Sequence, residues 1–316
     1  MKTKIILFLL SVQITQNPIY GQSCMVSKSF KGHVETILGI TESPDGQYIL
    51  SGSDDEKAIL WDKEGNIVFK TDTHERGVND VTFSPDSKNF VTAGSDETFV
   101  IWNVNGTEIK TVKADKIYVK SIAYSNDGKY ILSGGGDNIA KLWTSDGELV
   151  REFKGHSCTI YQASFSPDDK SIVLASCDGT ASLWDINGQK KMTIKYHKSG
   201  VSAASFSPDG KTLLTASFDK KAAIWTLKGE RLAVFEGHSG EINQAEFSRD
   251  GKYILTASED ATAKLWDLDG SLIKTFGETN SVAYTSATFS KDEQYAIVSS
   301  INNQINFWNM PRKNGY

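Results

Sequence analysis

The chain has 316 residues, a formal charge of −5 and 39% hydrophobic residues. That acidic balance provides no basic footprint for nucleic acid or an anionic lipid surface. No apolar run reaches the length needed to span a bilayer, and the length allows one large domain or two ordinary ones.

In chain order, the start MKTKIILFLLSVQ sets Lys2 and Lys4 before a short apolar run, Ile5 to Leu10. This is the layout of a secretory signal. Residues 1–21 are expected to be removed after Gly21, moving the formal charge from −5 to −7 and leaving 22–26 as a short linker. An uncleaved start is the alternative. Cys24 raises a second one, a lipid anchor, but the bacterial lipoprotein motif wants Leu three residues earlier, where Gly21 stands. The expected location is secreted or periplasmic.

From residue 27 to 310 the sequence is one unit written seven times. Trp61, Trp102, Trp143, Trp184, Trp225, Trp266 and Trp308 are separated by 41, 41, 41, 41, 41 and 42 residues. A period of this size marks a repeat architecture. Eighteen residues before each Trp stands Ser43, Ser84, Ser125, Ser166, Ser207, Ser248 or Ser290, opening SPDG-like turns. Pro, Asp and Gly suit such a hairpin loop. Short β-branched runs flank it, VNDVTFS before and YILSGS after, and read as strands. Gly65, Gly106, Gly147, Gly188, Gly229 and Gly270, four after their Trp, mark a second hairpin turn. Each unit therefore holds four antiparallel strands, no segment keeps a helical period, and the domain reads as all-β.

Four-stranded units repeated seven times close radially into a propeller. FKGH stands at Phe30–His33 and Phe153–His156 and FEGH at Phe235–His238; LWD stands at Leu60–Asp62, Leu183–Asp185 and Leu265–Asp267, while four units end in WN or WT. By these Gly-His and Trp-Asp signatures the chain resembles the WD-repeat β-propeller family, in a secreted, bacterial-type form. The last unit ends NMPRKNGY without a fourth strand, and VSKSFKGH near the start resembles LVREFKGH, an outer strand with its Gly-His. Residues 26–31 are expected to close the blade of Trp308, removing an exposed edge. Residues 311–316 form a tail.

His33, His74, His156, His197 and His238 lie 28 before their Trp, and Asp55, Asp96, Asp137, Asp178, Asp219 and Asp260 six before. The resemblance implies that these join a strand hydroxyl and the indole N–H in a buried network, which suits a buried indole's need for an acceptor. Candidate hydroxyls are Ser51, Thr92, Ser133, Thr215 and Thr256. One blade apart, the histidines cannot converge on one metal ion. Unit three has Asp115 in place of His, unit four Leu174 in place of the hydroxyl, and unit seven Asn302 for Asp and no His. Cys158 and Cys177 bracket the first hairpin of blade four and are either bridged or free thiols, as register decides. There is no phosphate loop, nucleophile elbow or CxxC, so no cofactor and no catalysis are expected.

Function belongs where the copies differ, on the face bearing the Gly-His segments. Before the repeated Asp stand Asp54, Ser95, Gly136, Cys177, Phe218, Glu259 and Ile301; at strand openings Tyr118, Lys120, Thr159 and Tyr161 are bulky beside Gly200 and Ser202. Aromatics with a nearby Lys suit an interface core, although the rings could instead fold onto neighbouring blades. Asp54, Glu241 and Glu259 form an acidic arc. The leading reading is a monomeric, non-catalytic scaffold for a protein or peptide partner. The alternative is a propeller enzyme or cation-binding propeller using those acids.

Overall fold

The computed structural model describes residues 26–277 and 282–311. Within them 28 strands, β1 to β28 in chain order, form seven four-stranded antiparallel sheets. The expected signal segment 1–21, Cys24 and the tail beyond Pro311 lie outside the described residues. Blades one to six take their strands consecutively, beginning with β2 (Ile37–Glu42) in blade one. Blade seven combines β26 (Tyr284–Phe289), β27 (Tyr295–Ser300) and β28 (Gln304–Asn309) with β1 (Val26–Lys31). The seven inner strands touch in a closed ring, β26 returning to β2. The molecule is a seven-bladed β-propeller.

The turns follow from their residues. Ser43 Oγ donates to Asp45 Oδ1 at 2.6 Å and accepts the Tyr48 amide at 2.9 Å, tying the SPDG loop to its own backbone. Gly46 there has φ +68°; Ser87, Asp169 and Glu293 adopt the same left-handed conformation, where a side chain is disfavoured. The six Gly turns after the tryptophans all hold φ between 78° and 97°.

Blades pack through repeated aromatic latches. The Trp of one blade meets the outer-strand Phe of the preceding one: Phe153 against Trp184 and Phe235 against Trp266, both at 5.9 Å. Phe30 of β1 meets Trp61 at 5.6 Å in the same way, so β1 joins blade seven to blade one as well as completing blade seven. Each junction is a layer of buried apolar side chains. Leu214, Ile224, Phe235, Ile254 and Trp266 are buried together between blades five and six. No helix among the described residues is long and apolar enough to cross a membrane.

Candidate functional site

The repeated polar residues are occupied by structure. In blade one the Trp61 indole donates to Ser51 Oγ at 2.8 Å, and His33 Nε2 lies 2.8 Å from the same oxygen. His33 Nδ1 reaches Asp55 Oδ2 at 2.9 Å, and the Val34 amide donates to that carboxylate. Donors and acceptors run in one direction when His33 is neutral, with both ring nitrogens used. Blades two, five and six repeat this chain through His74–Asp96, His197–Asp219 and His238–Asp260. Burial works against the carboxylate of Asp55, but His33 and the Val34 and Lys57 amides hold it below the usual range. Burial lowers His197 and His238, consistent with neutral rings.

Three blades depart from this pattern. In blade four, Leu174 of β15 (Ser171–Ser176) lies directly opposite Ser182 of β16 (Ala181–Asp185). Ser182 Oγ supplies the missing hydroxyl, 2.6 Å from His156 Nε2 and 2.7 Å from the Trp184 indole, while His156 Nδ1 reaches Asp178. In blade three, Lys141 sits opposite Ser133 and does the work of the absent His. Its ammonium donates to Asp137 Oδ2 at 2.5 Å and Ala114 O at 2.7 Å. Burial and the neighbouring Asp137 raise Asp115, whose Oδ1 accepts the Lys116 and Ile117 amides. Asp137, in the unit that carries Asp115 in place of His, is thus half of a buried ion pair; the Trp143 indole still donates to Ser133. In blade seven the network does not form among the described residues. The Trp308 indole N–H finds no acceptor among the described residues, because Val298 and Asn306 replace the hydroxyl-bearing pair.

The variable positions build the channel mouth. Every inner strand carries a register shift at its second residue: Leu38, Asn79, Lys120, Tyr161, Ser202, Asn243 and Thr285. A bulge re-aims a side chain, and all seven line one cavity of about 310 Å³. Above them, the residue before each repeated Asp donates its amide to the carbonyl of the residue preceding the inner strand. Phe218 N bonds Gly200 O, Glu259 N bonds Glu241 O and Ile301 N bonds Ala283 O.

Size alternates within these pairs. Gly136 leaves room for Tyr118, since a Cβ there would stand 3.0 Å from that ring, and Gly200 does the same for Phe218. Tyr118 Oη meets Thr159 Oγ1 at 2.9 Å across the blade junction. Tyr161 and Phe218 pack edge to face at 5.3 Å, both half-buried. The two readings of the aromatics therefore combine: the rings lean on a neighbouring blade and keep surface open. Burial lowers Lys120, although Asp80 and Asp54 oppose it. Burial also pushes Asp80 up to about 6, against the Ile122 and Val81 amides. Ile301 stands free on the rim, 48% exposed. Asp54 on blade one is not brought together with Glu241 and Glu259 on blade six: among the described residues, no three His, Cys, Asp or Glu side chains are grouped to hold a metal ion.

Cys158 and Cys177 are bridged at a Cα separation of 5.4 Å, beside Thr159 on this face. Their strand ends face each other because the Cys177 amide bonds Thr159 O.

Residues 78–315 match the family described as the IFT122 first beta-propeller, and residues 24–62 match a WD domain, G-beta repeat. The chain belongs to the WD-repeat β-propeller family. No curated protein matches the chain. WD-repeat propellers are typically protein-interaction scaffolds and mostly non-enzymatic. Of the channel lining, sequence reasoning named Lys120, Tyr161 and Ser202 at strand openings and missed Leu38, Asn79, Asn243 and Thr285. Their signal, the second residue of each inner strand, was hidden because the bulge turns that residue inward regardless of alternation.

Proposed function

We propose that the protein is a non-catalytic platform whose Gly-His face binds a protein or peptide partner through Tyr118, Lys120, Thr159, Tyr161 and Phe218, with Glu241, Glu259 and Ile301 around them. The Tyr161–Phe218 pair carries this reading: two aromatic rings fixed edge to face and still half open at the rim of a rigid ring. Preorganised aromatics supply contact area at little entropic cost, and truncating central ones commonly costs about 2 kcal/mol each, roughly thirtyfold in affinity. Immobilised mature protein should capture its partner from the native envelope fraction, and a Tyr161→Ala, Phe218→Ala variant with unchanged melting should lose it. Retention of the partner by that variant would refute the assignment.

A secreted or periplasmic location is part of the same proposal. The Lys2–Leu10 layout and the Cys158–Cys177 bridge support it, since disulfides persist in oxidising compartments. Mass spectrometry of the purified native protein should find an N-terminus at Gln22; an intact Met1 would overturn it.

A further inference from the structure

Beneath the rim, the channel holds a ring of polar atoms that the fold orients but does not satisfy. Asn79 Nδ2 donates to Ser95 Oγ at 2.9 Å and Val119 O at 2.8 Å, which leaves Oδ1 free as an acceptor. Asn243 Nδ2 donates to Tyr284 O at 2.9 Å, again leaving Oδ1. Gln162 does the reverse: its Oε1 accepts the Ala204 amide at 2.8 Å, leaving Nε2 as a donor. A backbone group of known polarity fixes each amide, so the free atom's identity is not a matter of choice. Lys120 Nζ, Tyr161 Oη and the Gln244 amide have no hydrogen-bond partner among the described residues.

The arrangement selects a class of ligand. Blades three and four present the donors Lys120 and Gln162 with the Tyr161 hydroxyl, blades two and six present the acceptors Asn79 and Asn243, and the Gln244 amide of blade six can do either. Within the channel the Lys120 ammonium is opposed by the Asp80 carboxylate. An anion would satisfy the donors and repel Asp80, while a cation would do the opposite at Lys120. A neutral molecule carrying several hydroxyls donates and accepts at each, so it can meet both sides. The cavity, about 310 Å³, lies at the small end of ligand pockets. Tyr161 and Phe218 close its mouth with apolar surface that suits the C–H face of a ring.

We propose that the channel binds one neutral sugar ring, held between the donors of blades three and four and the acceptors of blades two and six. This goes beyond the rim's partner reading, and free sugars test it without any partner. The test is calorimetry with saturation-transfer NMR, using glucose, galactose, N-acetylglucosamine and maltose. The charged controls are glucosamine and glucuronate. At least one neutral sugar should bind with a Kd of about 1 mM or tighter. Both charged sugars should bind about tenfold more weakly, and Lys120→Met and Asn243→Leu should each weaken the neutral sugar about tenfold. The bound sugar should also protect Lys120 from acetylation in the unaltered protein, read by mass spectrometry, which needs no variant to fold. Failure of every neutral sugar to bind by about 20 mM, equal binding of a charged analogue, or unprotected Lys120 would each overturn the proposal.

Discussion

Closure of the ring rests on one side chain. In β1 only Phe30 is fully buried, at 3% exposure; its neighbours Ser29 and Lys31 are open to solvent. The Phe30 ring lies 4.9 Å from Phe307 and 5.6 Å from Trp61, and Gly65 lets it approach, since a Cβ at that glycine would overlap it. Phe30→Ala keeps the backbone pairing of β1 with β28 and removes the apolar anchor. Large-to-small changes of this kind cost about 3–5 kcal/mol where the cavity cannot collapse. The site is walled by Trp61, Phe307, Ile37 and Ile305, all buried in one cluster, so the full range applies. For a domain of this size that is a fall of roughly 6–12 °C in melting temperature. Circular dichroism melts and urea titrations should show it, with Ser29→Ala within about 0.5 kcal/mol of the parent as the surface control. Hydrogen exchange should locate the damage: amides of β28 should lose protection before those of blade three. A Phe30→Ala protein that melts within about 1 °C of the parent, or that opens first in blade three, would refute the closure reasoning.

Two further outcomes follow from the polar core. Trp102→Phe removes a donor that Thr92 accepts and should cost about 1–3 kcal/mol, whereas Trp308→Phe removes an N–H that has no acceptor among the described residues and should be neutral or stabilising; urea midpoints of the two variants decide between equal and unequal costs. Burial pushes Glu246 up to about 7, despite the Phe289 amide that its Oε1 accepts. The folded chain therefore keeps a proton that the unfolded chain, with an ordinary carboxyl, releases from about pH 4.5 upward. This contribution is complete below about pH 4.5 and is lost as pH rises through 7. Glu246→Gln should flatten that slope and be more stable than the parent above pH 7 by the order of 1–3 kcal/mol. An unchanged pH profile of stability would show that Glu246 is not the group responsible. Asp80, pushed up to about 6, should leave a smaller residual slope in the same window.

The sequence by itself determined the repeat, the four strands per unit and the closing strand at residues 26–31, because these depend on covalent spacing and local turn chemistry. Seven tryptophans in register, a Gly turn four residues on and an orphan outer strand near the start admit one ring. What the tertiary structure decided depends on which residues face each other across strands. Leu174 looked like a lost hydroxyl, yet Ser182 lies opposite it and restores the chain, and Lys141 takes a histidine's work because pairing puts it beside Ser133. The unsatisfied Trp308 indole, the Cys158–Cys177 bridge and the Tyr161–Phe218 contact are set in the same way. The channel lining turns on a one-residue bulge repeated in seven inner strands. A shift of one residue reverses which face a side chain occupies, and that displacement leaves no mark in spacing or composition. The period is written along the chain; the register exists only once the strands have paired.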